Sequence, residues 1–142
     1  LNGTYRRVSA LPEAVLQAFI TCDVEIVKIL NLIAILMDSR LFFEFLREVY
    51  NEKIRLGEKE ITDRDLNVFF ADKAMQSDVV AGWTDTAVRK LKQCFTRMMF
   101  EAGLLESSVK PRTIKQVHID YRTEELLTAN GLGKYLKAVK GV

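Results

Sequence analysis

Between Asp23 and Asp38 the chain leaves almost no polar face. In a helix capped by Asp23, the side chains of Val24, Val27, Ile29, Leu30, Ile33, Ala34 and Met37 point in nearly every direction. A helix that is apolar nearly all round is stable only in the middle of a bundle or inside a membrane. Length excludes the membrane. The most apolar run, Ile29 to Met37, is nine residues long, contains Asn31, and meets Lys28 and Glu25 when extended backwards. A span needs about 20 predominantly apolar residues. No signal-peptide pattern opens the chain, and the expected location is the cytoplasm. The chain begins at Leu1 rather than Met, as a fragment lacking its natural start would.

A buried helix needs amphipathic partners, and the sequence supplies them. With 142 residues, 49% of them apolar, and only two prolines and seven glycines, there is material for one compact domain or two small helical lobes. A chain of this size buries about 70% of its unfolded surface and needs neither disulfide nor metal to fold. Pro12 suits the first turn of a helix running to about Phe19 and Ile20. Ser39 caps a third helix, in which Phe42, Phe45, Leu46, Val49, Tyr50 and Ile54 recur at helical spacing until Gly57 stops it.

Two further starts resemble each other. In Ile61-Thr62-Asp63-Arg64-Asp65-Leu66, Thr62 caps the backbone at Asp65 while Ile61 and Leu66 form a hydrophobic staple. That helix turns Leu66, Phe69, Phe70 and Ala74 inward and fades near Gln76. Trp83-Thr84-Asp85-Thr86-Ala87-Val88 repeats the arrangement. Its helix runs to Ala102, stops at Gly103, and takes Leu91, Cys94, Phe95, Met98 and Ala102 as its buried stripe. Then the period changes from helical to alternating. Val117, Ile119 and Tyr121 alternate with Gln116, His118 and Asp120, which predicts a half-buried strand. Leu104-Leu105 is its expected partner across a turn spanning Ser107 to Arg112. Thr123 caps a short helix through Leu127, Asn130, Gly131 and Gly133 break it, and a last helix runs from Lys134 to Val139. The expected fold is mainly α: a helical bundle with a small β-hairpin, winged helix-turn-helix-like in its second half. Residues 1–57 form the bundle segment and residues 58–142 the helix–helix–hairpin segment with its C-terminal helices, both within one compact unit.

The net charge of +2 conceals an asymmetry. Residues 1–83 carry a net of −3, residues 84–116 a net of +4, and residues 117–142 a net of +1. A nearly neutral protein with one basic third attracts a polyanion locally without binding everything. On the fifth helix, at 100° per residue, Arg89, Gln93 and Thr96 point away from the apolar stripe, flanked by Thr86, Lys90 and Arg97. Arg and Gln match the major-groove edges of guanine and adenine, and Lys and Thr suit phosphates. The hairpin adds Lys110, Arg112 and Lys115. A helix, a basic helix and a basic hairpin follow one another in a winged helix-turn-helix, whose second helix enters the major groove. Against that, the gap from Ser77 to Trp83 exceeds the three- or four-residue turn of the simple motif. A solvated polar face is the ordinary fate of such a pattern. Phe100, near the end of the same outer face, would stack on a base, seat another domain, or lie under the hairpin.

The chemistry of an enzyme is missing from the pattern. Cys22 and Cys94 fall in apolar helical stretches and read as small buried hydrophobes. With no CxxC and only one histidine, His118, no Cys/His zinc site assembles within one chain. His118 and Asp120 share a strand face but have no nucleophile attached by pattern. Asp63 and Asp65 suit the positive end of a helix rather than a metal. No GxxxxGK[ST], GxGxxG, HExxH or GxSxG motif occurs. The expectation is a non-enzymatic protein with no cofactor and no small-molecule substrate.

The runs "FFEFLREVYNEKI", "ITDRDLNVFFADKA" and "WTDTAVRKLKQCFTRMMFEAGLL" resemble the BrxA family of BREX phage-defence systems, over about two thirds of the chain. The most specific piece is Trp83 to Leu105. The family pattern typically includes an upstream helical region as well, and the family was formerly labelled a putative inner membrane protein, a label at odds with this sequence. The resemblance implies a small, mostly helical, non-enzymatic accessory component of a defence locus. It further implies double-stranded DNA as ligand and other BREX proteins as partners; that no membrane is involved is the expectation from the sequence, not from the resemblance. It also implies a likeness to helical RNA-binding antitermination factors, which keeps RNA open as a ligand. A protein–protein adaptor within the defence complex, docking through Phe100 and the aromatic third helix, is the alternative. The resemblance transfers no site map, so Arg89, Lys90, Gln93, Arg97, Lys110, Arg112 and Lys115 rest on the helical-face argument.

Overall fold

A computed structural model of the chain describes residues 12–14, 17 and 24–140. Glu13, Ala14 and Gln17 are helical, while the rest of the expected first helix, the Asp23 cap and Cys22 lie outside the described residues. The helices in chain order are α1 (Val24–Asp38), α2 (Arg40–Phe45), α3 (Asn51–Arg55), α4 (Asp63–Gln76), α5 (Asp78–Ala81), α6 (Asp85–Glu101), α7 (Tyr121–Ala129) and α8 (Gly133–Lys140). A π-helical turn, Leu46–Tyr50, joins α2 to α3 without a break. The protein is mainly helical, as the periodicity requires.

α1 is the central element. Ile29, Leu30 and every residue from Leu32 to Leu36 are buried, so both sides of the helix meet other chain. Ser39 then caps α2, its Oγ accepting from the Phe42 amide at 3.3 Å. The π turn was not legible in the sequence. Its wider winding pairs residues five apart, and the Asn51 amide donates to the Leu46 carbonyl. Phe45, just before the turn, and Tyr50, at its end, are both fully buried. Tyr50 Oη donates to the Lys115 carbonyl at 3.4 Å, and burial pushes its phenol well above the usual tyrosine range.

Phe95 of α6 is the hub of the core. Its ring lies 4.9 Å from Phe42, 5.5 Å from Phe45 and 5.6 Å from Phe70, between centroids. Offset and edge-on pairs of this kind add about 0.5–1.5 kcal/mol each beyond area burial. One apolar cluster runs from Ile29 through this aromatic group to Leu104, Leu127 and Val139. Both threonine starts hold. Thr62 Oγ1 accepts from the Asp65 amide while Asp65 returns a bond to the Thr62 amide, a complete capping box, with Ile61 and Leu66 buried beside it. Thr84 accepts from the Ala87 amide at 3.1 Å. The long gap before α6 contains a one-turn helix, α5, capped by Ser77.

Three sequence expectations need correction. The buried stripe of α6 is Phe95, Thr96, Met99 and Ala102, with Leu91 and Met98 half-buried and Cys94 exposed. Thr96, expected outside, is 4% exposed because its hydroxyl donates to the Gln93 carbonyl at 3.0 Å and lies 3.3 Å from that of Lys92. A threonine satisfied by its own helix enters a core at little cost.

The strand from Val117 to Tyr121 does not form. Burial alternates as expected, with Val117 and Ile119 half-buried and Gln116, His118 and Asp120 exposed, but no partner backbone lies beside it among the described residues. Pairing occurs earlier instead. Residues 112–115 run between two extended neighbours, as the bridges Glu60↔Thr113 and Leu105↔Ile114, both antiparallel, record. Ile114 donates to Lys59 at 2.7 Å and Ile61 to Arg112 at 3.0 Å on one side; on the other, Lys115 donates to Leu104 at 2.8 Å and Glu106 to Thr113 at 2.9 Å. The hairpin expected between Leu104-Leu105 and Val117–Tyr121 is thus limited to these isolated bridges. Finally, α7 begins three residues earlier than expected. Asp120 is the cap residue, and Thr123 lies buried inside the first turn with its hydroxyl on the Asp120 carboxylate.

Candidate nucleic-acid interface

α6 is fixed by Thr84 at its start and by Gly103 at its end, where φ is +87°, a conformation that favours glycine. With Phe95 and Met99 anchored in the core, the opposite face is determined. Arg89, Lys90, Gln93 and Arg97 are all exposed. Among the described residues none of the four has a carboxylate partner. The face is positive, solvated and rigidly mounted.

A cleft of about 430 Å³ runs between α6, the start of α4 and the loop after α6. It gathers Arg89 and Gln93 from the helix with Lys110 and Arg112 from the loop, so four of the seven sequence candidates meet there. Lys90 and Arg97 lie on the same helix face outside the cleft. Lys115 does not join them: it lines a separate cleft beside Phe100. Phe100 is 45% exposed, so the loop does not cover it.

The two loop cations are not equivalent to the helix cations. Asp63, at the first turn of α4, pairs with both. Arg112 donates to Asp63 Oδ1 at 2.8 Å, and Lys110 pairs with Oδ2. The hydrogen bonds from Lys110, then Arg112, hold the Asp63 carboxyl below its usual range. Lys110 stays 68% exposed, whereas the Arg112 side chain is 13% exposed. Arg112 also reaches the Ile61 carbonyl at 3.4 Å, and its Nε–H is buried with no acceptor among the described residues. Arg112 therefore holds the loop to α4 as well as facing the cleft.

Two contributors escaped the sequence reading. Lys92 and Asn67 also line this cleft, joined by a hydrogen bond from Lys92 Nζ to Asn67 Oδ1. Lys92 stands at the edge of the apolar stripe, where helical phase alone does not decide whether a side chain joins the core or the solvent face. His118 and Asp120 are the opposite case: the unformed strand separates their roles, and Asp120 serves α7.

Among the described residues no helix is long and apolar enough to cross a membrane. A family model described as BrxA matches residues 1–131. A relative from Bacillus cereus (strain H3081.97), described as "BREX protein BrxA", is 40% identical over 119 residues, which are 84% of this chain and 60% of the relative. The chain thus spans less than two thirds of that relative's length. Among solved structures, an uncharacterized protein from Magnetospirillum magneticum matches 96% of this chain and 72% of its own with a TM-score of 0.84, at 18% identity. That likeness is one of fold. With the family model spanning residues 1–131 and 40% identity over most of the length, the chain belongs to the BrxA family.

Proposed function

We propose that this chain is a non-enzymatic, DNA-binding accessory component of a BREX phage-defence system, with other BREX proteins as its partners. The exposed face of α6 carries the reading: Arg89, Lys90, Gln93 and Arg97, unpaired and mounted on a capped helix. Arg89 and Gln93 would meet base edges in the major groove, and Lys90, Arg97 and Lys110 neighbouring phosphates. Chain order supports a winged helix-turn-helix arrangement: residues 59–61, α4, α6, then residues 104–106 and 112–115 paired back onto the first segment. Lys115, on a separate cleft, and Arg112, held by Asp63, are assigned supporting positions rather than phosphate contacts.

Fluorescence anisotropy with labelled duplex DNA at 50 and 200 mM salt tests this reading. Replacing Arg89 and Arg97 by Ala is expected to weaken duplex binding at least about tenfold and to lower the salt slope by about one per lost phosphate contact. Lys59 and Arg122, exposed and off this face, are the control pair; Lys53 is unsuitable because it is tied to Glu58 and Asp65. Equal losses from both pairs would mean diffuse attraction. Intact binding after the α6 change would move the duplex off this face; no duplex binding by the unaltered chain would favour the second reading, a protein–protein adaptor, for which exposed Phe100 is the supporting observation.

A further inference from the structure

A larger cleft lies elsewhere. It has a volume of about 600 Å³ and is bounded by the end of α1, by α2 and the π turn, and by α8. Ligand pockets for small molecules typically run from about 300 to 1,000 Å³. Four cations line it, Arg40, Arg47, Lys134 and Lys137, against one carboxylate, Glu44. That carboxylate is already shared: Arg40 Nε meets it at 3.3 Å from one side and Lys73 Nζ at 3.3 Å from the other. Arg47, Lys134 and Lys137 are exposed. The cleft is therefore strongly anion-attracting, although Arg40 and Arg47 belong to the part of the chain with a negative net charge.

Its floor and wall add two features that simple surface basicity would not supply. Asn51 lines the cleft immediately after the π turn, and its Oδ1 is buried with no hydrogen-bond partner among the described residues. π turns recur at functional sites because they disturb the regular ladder. On the wall, Phe43 and Tyr135 meet edge to face at 5.1 Å, and Lys134 Nζ stands 5.0 Å from the Tyr135 ring centre. Cations for phosphate and an aromatic wall for a ring form one complementary set.

We propose that this cleft binds a nucleotide unit, either a free nucleoside phosphate or an unstacked residue of a single strand. The base lies against Phe43 and Tyr135, and the phosphates lie among Arg47, Lys134 and Lys137. A duplex, with its bases stacked inside and its phosphates on a broad convex surface, does not enter. The site is independent of the α6 face, and the two readings fail separately.

Calorimetric titration of the whole chain with ATP, and separately with a short oligothymidylate, tests the proposal and distinguishes its two sources. Saturable binding of at least one probe is expected, reduced at least tenfold by Arg47→Ala with Lys137→Ala and changed less than twofold by Arg89→Ala with Arg97→Ala. A second measurement needs no substitution: ATP or the oligonucleotide protects Lys134 and Lys137, but not Lys59, from acetylation read by mass spectrometry. No saturable binding of either probe would overturn the proposal, as would undiminished binding by the Arg47/Lys137 variant. Displacement of ATP by an acidic peptide more readily than by the oligonucleotide would overturn it in favour of protein docking.

Discussion

Thr96 and Cys94 exchange the places that residue-type averages assign them. Threonine is normally exposed and free cysteine normally buried, yet here Thr96 is buried and Cys94 exposed. The local reason is that the Thr96 hydroxyl finds carbonyl acceptors on its own helix, while Phe95, far larger than cysteine, decides which way α6 faces. Cys94 is therefore expected to react with a thiol reagent promptly in the native state, and Cys94→Ser to abolish that fast phase. A Cys94 thiol released only on unfolding would show that α6 is rotated from this position. Arg112 teaches a related lesson: a basic residue in a basic segment is not automatically available to a ligand. Its charge is shared with Asp63 and its side chain is largely covered.

At the level of elements, the two threonine starts look equivalent in sequence and differ in structure. Thr62 has Asp65 at the N3 position and forms a reciprocal box, further tied to Lys53 by the 2.8 Å Lys53–Asp65 pair. Thr84 has Ala87 there, which gives no return bond. Thr62→Ala is accordingly expected to cost about 1–2 kcal/mol and Thr84→Ala about 0.5–1 kcal/mol. Urea denaturation midpoints would check the order, and a larger loss at Thr84 would contradict the box. The same contrast explains the missing strand. Alternating polarity from Gln116 to Tyr121 was legible, and so was the half-buried result; a strand further requires a neighbouring backbone, and residues 112–115 already occupy the edges of 59–61 and 104–106. Strand formation is a property of pairs of segments, so a single segment cannot announce it.

On the scale of the whole molecule, carboxylates near the start of α4 tie the chain together. Asp63 holds the loop through Lys110 and Arg112, and Asp65 holds α3 through Lys53. Both lie below their usual pKa: Asp63 through the Lys110 and Arg112 bonds, Asp65 because Lys53 and Thr62 outweigh the opposing effect of burial. A lowered folded-state pKa means that the stability these groups contribute is complete above the unfolded value of about 3.9 and is lost as pH falls through the folded value. Urea midpoints are expected to stay level from pH 7 to about 5 and fall below about 4, less steeply in Asp65→Asn; a fall beginning above pH 6 would point to other groups. Lys73 makes the complementary tie, bonded to Glu48 at 2.7 Å and 9% exposed. Burial opposes its charge, but Glu48 and Glu44 prevail and raise its pKa. The sequence by itself determined the starts of α2, α4 and α6 at Ser39, Thr62 and Thr84, the central place of α1 and the outward face of Arg89, Gln93 and Arg97, because spacing, capping and hydrophobic phase act within a few residues. Tertiary structure alone decided the rotation of α6 about Phe95, the pairing of 112–115, the neutralisation of Arg112 by Asp63 and the cleft between the π turn and α8. Each of these depends on groups distant in the chain meeting at short range, and neither periodicity nor composition carries that information.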